Sequence, residues 1–239
     1  MANSWFQFTQ FTVHQQKAAM KVTTDACLFG ALQPEFPNNG VTLNLLDVGA
    51  GTGLLSLIVA QLNPEAKISA IEIDTETAWE AAENMASSPF SGQVRVIEAD
   101  ILDFHPETRF HHIFCNPPFY QSQLQSPDSL KNTAHHASNL SLENLFACFN
   151  RLLLPGGTVS LLLPFYREAE TLALSGLHNL NPTSMIRVKQ SPKHGFFRTI
   201  LFLGNETNPP ETSEITIRDA ENHYTPEFEL LLKPFYLKL

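Results

Sequence analysis

From Leu43 onward, short apolar runs alternate with helix-patterned stretches, and this alternation narrows the possible folds more than any other feature. Leu43–Val48 is an apolar run closed by Gly49, as a buried parallel strand should be. Leu54–Gln61 has helical spacing, Ile68–Ile73 reads as a second strand and Thr75–Met85 as a second helix. Strands follow at Val94–Ala99 and Phe110–Cys115, then a helix at Leu142–Leu152 that stops at Pro155-Gly156-Gly157. Thr158–Leu163, Ser184–Val188 and Arg198–Phe202 complete seven strands, with helices near Glu168–Leu177 and Thr225–Leu232. Such alternation implies right-handed crossovers and an α/β fold, its mostly parallel sheet covered on both faces. Ligands of these sheets bind beyond the carboxyl ends of the strands, so the loops after the first four strands should hold the chemistry.

The 239 residues suit one α/β domain, and a hydrophobic fraction of 43% argues against disorder. Residues 1–33 read as an aromatic-rich extension ending in a helix over Ala26–Leu32, and residues 34–239 as the main domain. Three scattered cysteines, Cys27, Cys115 and Cys148, fit neither a disulfide framework nor a zinc site. The start lacks a charged segment followed by an apolar one, and the strongest apolar stretch, Leu161-Leu162-Leu163, is far too short for a membrane span. The expectation is a cytoplasmic protein without metal or membrane partner, and a monomer.

The loop after the first strand reads Asp47-Val48-Gly49-Ala50-Gly51-Thr52-Gly53. Alternate glycines let the backbone turn sharply and approach a ligand with no side chain between. A dinucleotide fingerprint would need its third glycine at position 54, which is Leu54, and no Gly-Lys-Ser/Thr follows for a phosphate-binding P-loop. The spacing instead resembles the D-x-G-x-G-x-G loop of class I S-adenosylmethionine-dependent methyltransferases. Glu72 ends the second strand, where its carboxylate can accept both ribose hydroxyls. Asp100 and Ile101 close the third, where the family places an acid against the adenine amino group. In that family Asp47 lies beneath the glycine turn and orders it. The resemblance implies S-adenosyl-L-methionine as cofactor and a Rossmann-like, doubly wound, seven-stranded, mostly parallel sheet.

The fourth strand ends in Asn116-Pro117-Pro118-Phe119-Tyr120. Two prolines fix two φ angles and remove two N–H donors. The Asn116 side-chain oxygen and the Pro117 carbonyl are left as acceptors. A conjugated amino group is a poor nucleophile because its lone pair is delocalised. Two acceptors on its two hydrogens favour a pyramidal nitrogen, whose localised pair can attack the methyl carbon of a sulfonium. Phe119 offers a plate for a planar base. Asn116, Pro117 and Phe119 are the catalytic candidates, with Asn116 also at the cofactor. The motif is similar to that of methyltransferases acting on adenine N6, guanine N2 or a glutamine amide.

Both termini carry a narrower resemblance. Phe8-Thr9-Gln10-Phe11-Thr12-Val13-His14-Gln15, then Ala19–Asp25, look like the opening of bacterial adenine-N6-methyltransferases acting on the anticodon-loop adenine of valine tRNA. Tyr224–Phe228 and Lys233–Leu237 are similar to that family's ending. The resemblance implies a tRNA substrate, with Lys21 and Thr24 over the cofactor and Thr24 also a candidate helix cap. It implies substrate contacts from Tyr120, His135 and Arg198. Thr9 and His135 depart from the lysine and arginine that relatives often carry, which lowers the fixed positive charge. The alternatives are methylation of rRNA guanine or a protein glutamine, and a cofactor-binding protein without catalysis.

Charge is uneven. The net charge is −9, yet no acid lies between Thr171 and Asn205, where Arg187, Lys189, Lys193 and Arg198 stand. This locally basic tract is expected to contact phosphates, with a flipped loop adenine entering the pocket. The polar segment Gln121–Ser141 reads as a flap, and His111-His112 as surface residues.

Overall fold

The computed structural model describes residues 3–37, 40–117 and 140–238. A short antiparallel hairpin, β1 (Trp5–Gln7) and β2 (Thr12–His14), precedes helix α1 (Thr24–Ala31). The alternating region then runs β3 (Asn44–Val48), α2 (Leu54–Leu62), β4 (Lys67–Glu72), α3 (Thr75–Ala86), β5 (Val94–Glu98) and β6 (Phe110–Cys115). After it come α4 (Leu142–Leu152), β7 (Leu153–Pro164), a single 3₁₀ turn over Phe165–Arg167 and α5 (Glu168–Leu177). The chain closes with β8 (Asn181–Lys189), β9 (Phe196–Gly204), β10 (Glu211–Thr216) and α6 (Pro226–Leu232).

The main sheet is ordered β10-β8-β9-β7-β6-β3-β4-β5, and only β9 runs against its neighbours. Strand order reverses between β3 and β6, which opens a crevice beyond their carboxyl ends. Period-2 alternation sends Leu45 and Phe114 into one apolar cluster, and Leu46, Val48, Ile113 and Cys115 into the other. Helices α1, α2 and α6 cover the first face, with Phe29, Leu57, Ile58 and Phe228 fully buried. Helix α4 covers the second with Phe146 and Phe149.

The helices start where the sequence provides caps. Asp74 accepts from Thr77 N, Ser141 from Asn144 N, and Thr225 from Phe228 N ahead of Pro226. For α1 the cap is Thr23, which accepts from Ala26 N, rather than Thr24.

Three elements were not legible beforehand. The sheet has eight strands rather than seven, because β10 joins the edge beside β8. Its Glu-Thr-Ser-Glu stretch is exposed, so no apolar alternation marks it. Strands β1 and β2 are three residues each, too short to show a period. Strand β7 also starts earlier than expected, running through Pro155-Gly156-Gly157 with a register shift against β6.

The N-terminal hairpin is fastened to the far end of the chain. Phe8 pairs with Tyr236, and Thr9 donates to the carbonyls of Phe235 and Pro234. Phe6, Phe8, Phe11 and Tyr236 form one aromatic group, with ring centroids 4.6–5.8 Å apart.

Candidate active site

Register alone brings the candidate residues into line. Val48 sits opposite both Ile71 and Cys115, so Gly49, Glu72 and Asn116 leave the sheet side by side. Glu72 in turn faces Glu98, which places Asp100 two residues beyond the adjoining strand.

Gly49, Gly51 and Gly53 have φ values of +73°, +55° and +80°, a region that side chains other than glycine's rarely adopt. Gly49 N and Ala50 N both donate to the Ile71 carbonyl, and Gly53 N closes the turn on Ala50 O. Among the described residues, apart from its chain neighbours, nothing lies within 4 Å of a Cβ built on Gly49 or Gly51, whereas one on Gly53 would meet Met85 Cε at 2.1 Å. The first two glycines thus face open space and the third faces the α3 packing. Helix α2 begins directly at Gly53 with no side-chain cap. An open, backbone-lined turn feeding a helix N-terminus fits a cofactor that must be approached closely.

Asp47 is fully buried beneath this turn. Ser56 Oγ donates to its Oδ2 at 2.7 Å, and its Oδ1 has no hydrogen-bond partner among the described residues. Burial, aided slightly by the nearby Glu72 charge, raises its pKa to about 7. Burial and then the Asp47 charge hold the Cys115 thiol well above its usual range.

Glu72 Oε2 accepts from Gly51 N at 2.9 Å, and Oε1 accepts from Ile73 N and Asp74 N at 2.9 and 3.0 Å. The carboxylate therefore braces the glycine turn and the start of the loop after β4. Three of its roughly four acceptor positions are taken, so a bidentate ribose contact requires one of these bonds to be exchanged. Asp100 Oδ1 accepts from Leu102 N, and Ile101 is buried beside it. Arg151 of α4 fixes this loop by donating to the carbonyls of Ile101, Leu102 and Phe104.

Asn116 is half-buried and Pro117 buried at the end of β6. Phe119, Tyr120 and His135, with most of the expected flap, lie outside the described residues. Lys21 is exposed and donates to the Gln15 carbonyl, while Thr24 occupies the first turn of α1. Arg198 is the third residue of β9 and its Nε donates to Asp25 Oδ2 at 2.6 Å, so its charge is met within the fold.

Two expectations change. His112 is not a surface residue: it is buried, with Nδ1 2.7 Å from Thr158 Oγ1 and Nε2 3.1 Å from Gln33 Oε1 and Ser160 Oγ. It lies on a central strand, and burial lowers its pKa to about 3. The locally basic tract is also largely neutralised. Arg187 pairs with Glu168 at 2.7 Å, Lys189 with Glu214 at 2.8 Å and Arg198 with Asp25. All three acids lie outside the tract, so its sequence composition overstates its charge.

Two important side chains escaped the sequence reading. Glu80, buried in α3, accepts from the backbone N–H of Gln16, Lys17 and Ala18 at 2.6–3.1 Å. Asn84, one turn on, accepts from His14 N and donates to the carbonyls of His14 and Thr52. These two residues tie the N-terminal segment to the glycine turn. Their signal was present: Thr77, Glu80 and Asn84 interrupt the buried face of α3, which also carries Ala78, Ala81 and Met85.

A family model described as the methyltransferase small domain matches residues 27–144. The chain is 40% identical to the tRNA1(Val) (adenine(37)-N6)-methyltransferase of Dyadobacter fermentans, over 99% of this chain and 98% of that one. It is 34% identical to the protein of that name from Parabacteroides distasonis over the whole of both chains. Among solved structures, a predicted O-methyltransferase from Agrobacterium tumefaciens superposes with a TM-score of 0.65 at 20% identity, covering 88% of this chain and 96% of that one. That likeness concerns the fold. With the glycine turn, the switch point and these full-length relatives in agreement, the chain belongs to the family of tRNA1(Val) (adenine(37)-N6)-methyltransferases, within the class I methyltransferase fold.

Proposed function

We propose that this protein transfers a methyl group from S-adenosyl-L-methionine to N6 of adenine 37 in valine tRNA, acting as a cytoplasmic monomer. The observation that carries the reading is the register that sets Gly49, Glu72 and Asn116 side by side at the switch point. When bound, S-adenosyl-L-methionine would supply an electrophilic methyl on a sulfonium; as the nitrogen–carbon bond forms the carbon–sulfur bond would break, and the sulfur would keep that electron pair and leave as the neutral thioether.

The chain's own residues do the rest. Gly49, Gly51 and Gly53 keep the backbone clear of side chains where the cofactor seats, and Asp47 supports the turn from below. Glu72 takes the ribose, while Asp100 and Ile101 take the adenine of the cofactor. Residues 1–33 cover this site, Lys21 and Thr24 included. The Asn116 side-chain oxygen and the Pro117 carbonyl accept the two N6 hydrogens of the target and hold its nitrogen in line. No base is needed before attack, because the extra proton becomes acidic only after nitrogen is methylated, and it then leaves to solvent. Phe119 stacks on the target ring. Tyr120, His135 and Arg198 serve the RNA side, Arg198 while held on Asp25.

Two measurements test this. Purified protein with unmodified valine tRNA should produce N6-methyladenosine at position 37, read by mass mapping of digested nucleosides. Methylation of rRNA or of a protein amide in its place rejects the substrate. Asn116→Ala should lower turnover by about 100-fold or more, while cofactor affinity by calorimetry falls by a far smaller factor. Retained turnover would remove Asn116 from the chemistry.

A further inference from the structure

We propose that a ledge on the catalytic edge of the sheet, built from Tyr166, Lys193, His194 and Arg218, grips the single-stranded RNA that flanks the target adenine. Strands β6, β7, β8 and β10 run parallel, so their carboxyl ends open on one edge. Leu161 pairs with Cys115, just before Asn116, and β7 continues past that point to Pro164. Tyr166 follows in the 3₁₀ turn and is 74% exposed.

Beside it, the Phe165 ring packs on Phe196 at 5.2 Å, and Lys189 Nζ sits 4.3 Å from the Phe196 centroid. The β8–β9 turn then projects Lys193 and His194, both exposed. This turn is joined to the exit of β10. Ile217 N and Arg218 N donate to the carbonyls of Lys189 and Gln190, and Lys193 Nζ reaches the Ala220 carbonyl at 3.3 Å. Turn and exit loop thus form one shelf.

The charges on the shelf decide its partner. Arg187, Lys189 and Arg198 are each spent on a carboxylate of the fold. Lys193 and Arg218 have no carboxylate partner among the described residues. Arg218 instead lies 4.1 Å from the Tyr224 ring centroid and donates to the Asn222 carbonyl. Of the nearby acids, Glu170 pairs with Arg167, Glu214 with Lys189, and Asp219 caps its own loop through Glu221 N and His223 N; Glu221 is exposed. An exposed aromatic ring followed by two cations lacking ion-pair partners matches a strand of unpaired nucleotides, with a base on the ring and phosphates on the cations. The phosphate contacts of this ledge fall on Lys193 and Arg218, rather than on Arg187 and Lys189, and lie apart from any contact made by Arg198 at the active site.

The surface rests on the RNA reading of the active site, and the test separates the two. Equilibrium binding of unmodified valine tRNA is measured between 50 and 200 mM salt for wild type, Tyr166→Ala, Tyr166→Phe, Lys193→Gln and Arg218→Gln, with cofactor affinity and melting temperature recorded for each. Tyr166→Ala should weaken RNA binding about ten-fold, and Tyr166→Phe should restore most of it. Lys193→Gln and Arg218→Gln should each lower the slope of log K against log salt by about 1, with cofactor affinity unchanged. Lys193 is exposed, so its variant is expected to fold even if Arg218→Gln does not. Wild-type binding with unaltered tRNA affinity and slope in Tyr166→Ala and Lys193→Gln overturns the ledge alone. Absence of wild-type binding to tRNA overturns both readings.

Discussion

Asp47 and His112 are buried ionisable groups whose shifts act on stability in opposite senses. Folded Asp47 keeps its proton to about pH 7, whereas in the unfolded chain it ionises near 4. Between these values the unfolded state binds fewer protons, so Asp47 makes stability fall as pH rises from about 4 to 7. His112 stays neutral in the fold down to about pH 3 and is protonated below about 6.5 when unfolded. It makes stability rise with pH over that interval. The two trends offset each other in the wild type without cofactor. Asp47→Asn removes one of them, so its urea midpoint should climb more steeply than the wild-type midpoint from pH 4.5 to 6.5. Equal slopes would show that Asp47 ionises normally. The glycine turn gives a second contrast. Gly51→Ala places a methyl group in open space at a positive φ, costing about 1–2 kcal/mol in backbone strain. Its effect on cofactor affinity should exceed its effect on the melting temperature. The reverse order would place the cofactor away from this turn.

At the scale of elements, the N-terminal segment depends on two attachments that are remote in sequence. One is the pair Glu80 and Asn84 on α3, and the other is the Phe8–Tyr236 bridge with its neighbour Phe235, which is 1% exposed. Asn84→Ala strands the His14 N–H and the Thr52 carbonyl, at a cost of about 1–3 kcal/mol in urea unfolding. Thr52 belongs to the glycine turn, so cofactor affinity should fall as well. Phe235→Ala should cost about 3–5 kcal/mol by cavity formation. In hydrogen exchange, its largest local loss of protection should fall on the β1–β2 hairpin. Uniform loss across the sheet would mean that the hairpin is not a separate opening unit. Long alternating elements could be read from the chain because strand and helix periods repeat over them. The hairpin and β10 could not, since three-residue strands have no period and an exposed edge strand needs no apolar pattern.

For the whole molecule, binding at the switch point links both faces of the sheet, because β3 and β6 contribute to both apolar clusters. S-adenosyl-L-methionine at 100 times its dissociation constant should add about 2.7 kcal/mol to unfolding, seen as a thermal upshift that a nicotinamide dinucleotide does not produce. Equal upshifts would contradict the glycine spacing. That spacing was legible because turn chemistry is a local property of consecutive residues. The family resemblance was likewise carried by short stretches of chain. Charge and burial were not local in this way. Folding brought Glu168, Glu214 and Asp25 onto three cations of the basic tract, and it enclosed His112 with Gln33, Thr158 and Ser160. Sequence by itself determined where the backbone turns after the first strand of the alternating region. Only tertiary structure decided which charges stay available to a partner, because ion pairing and desolvation depend on distances between residues far apart in the chain.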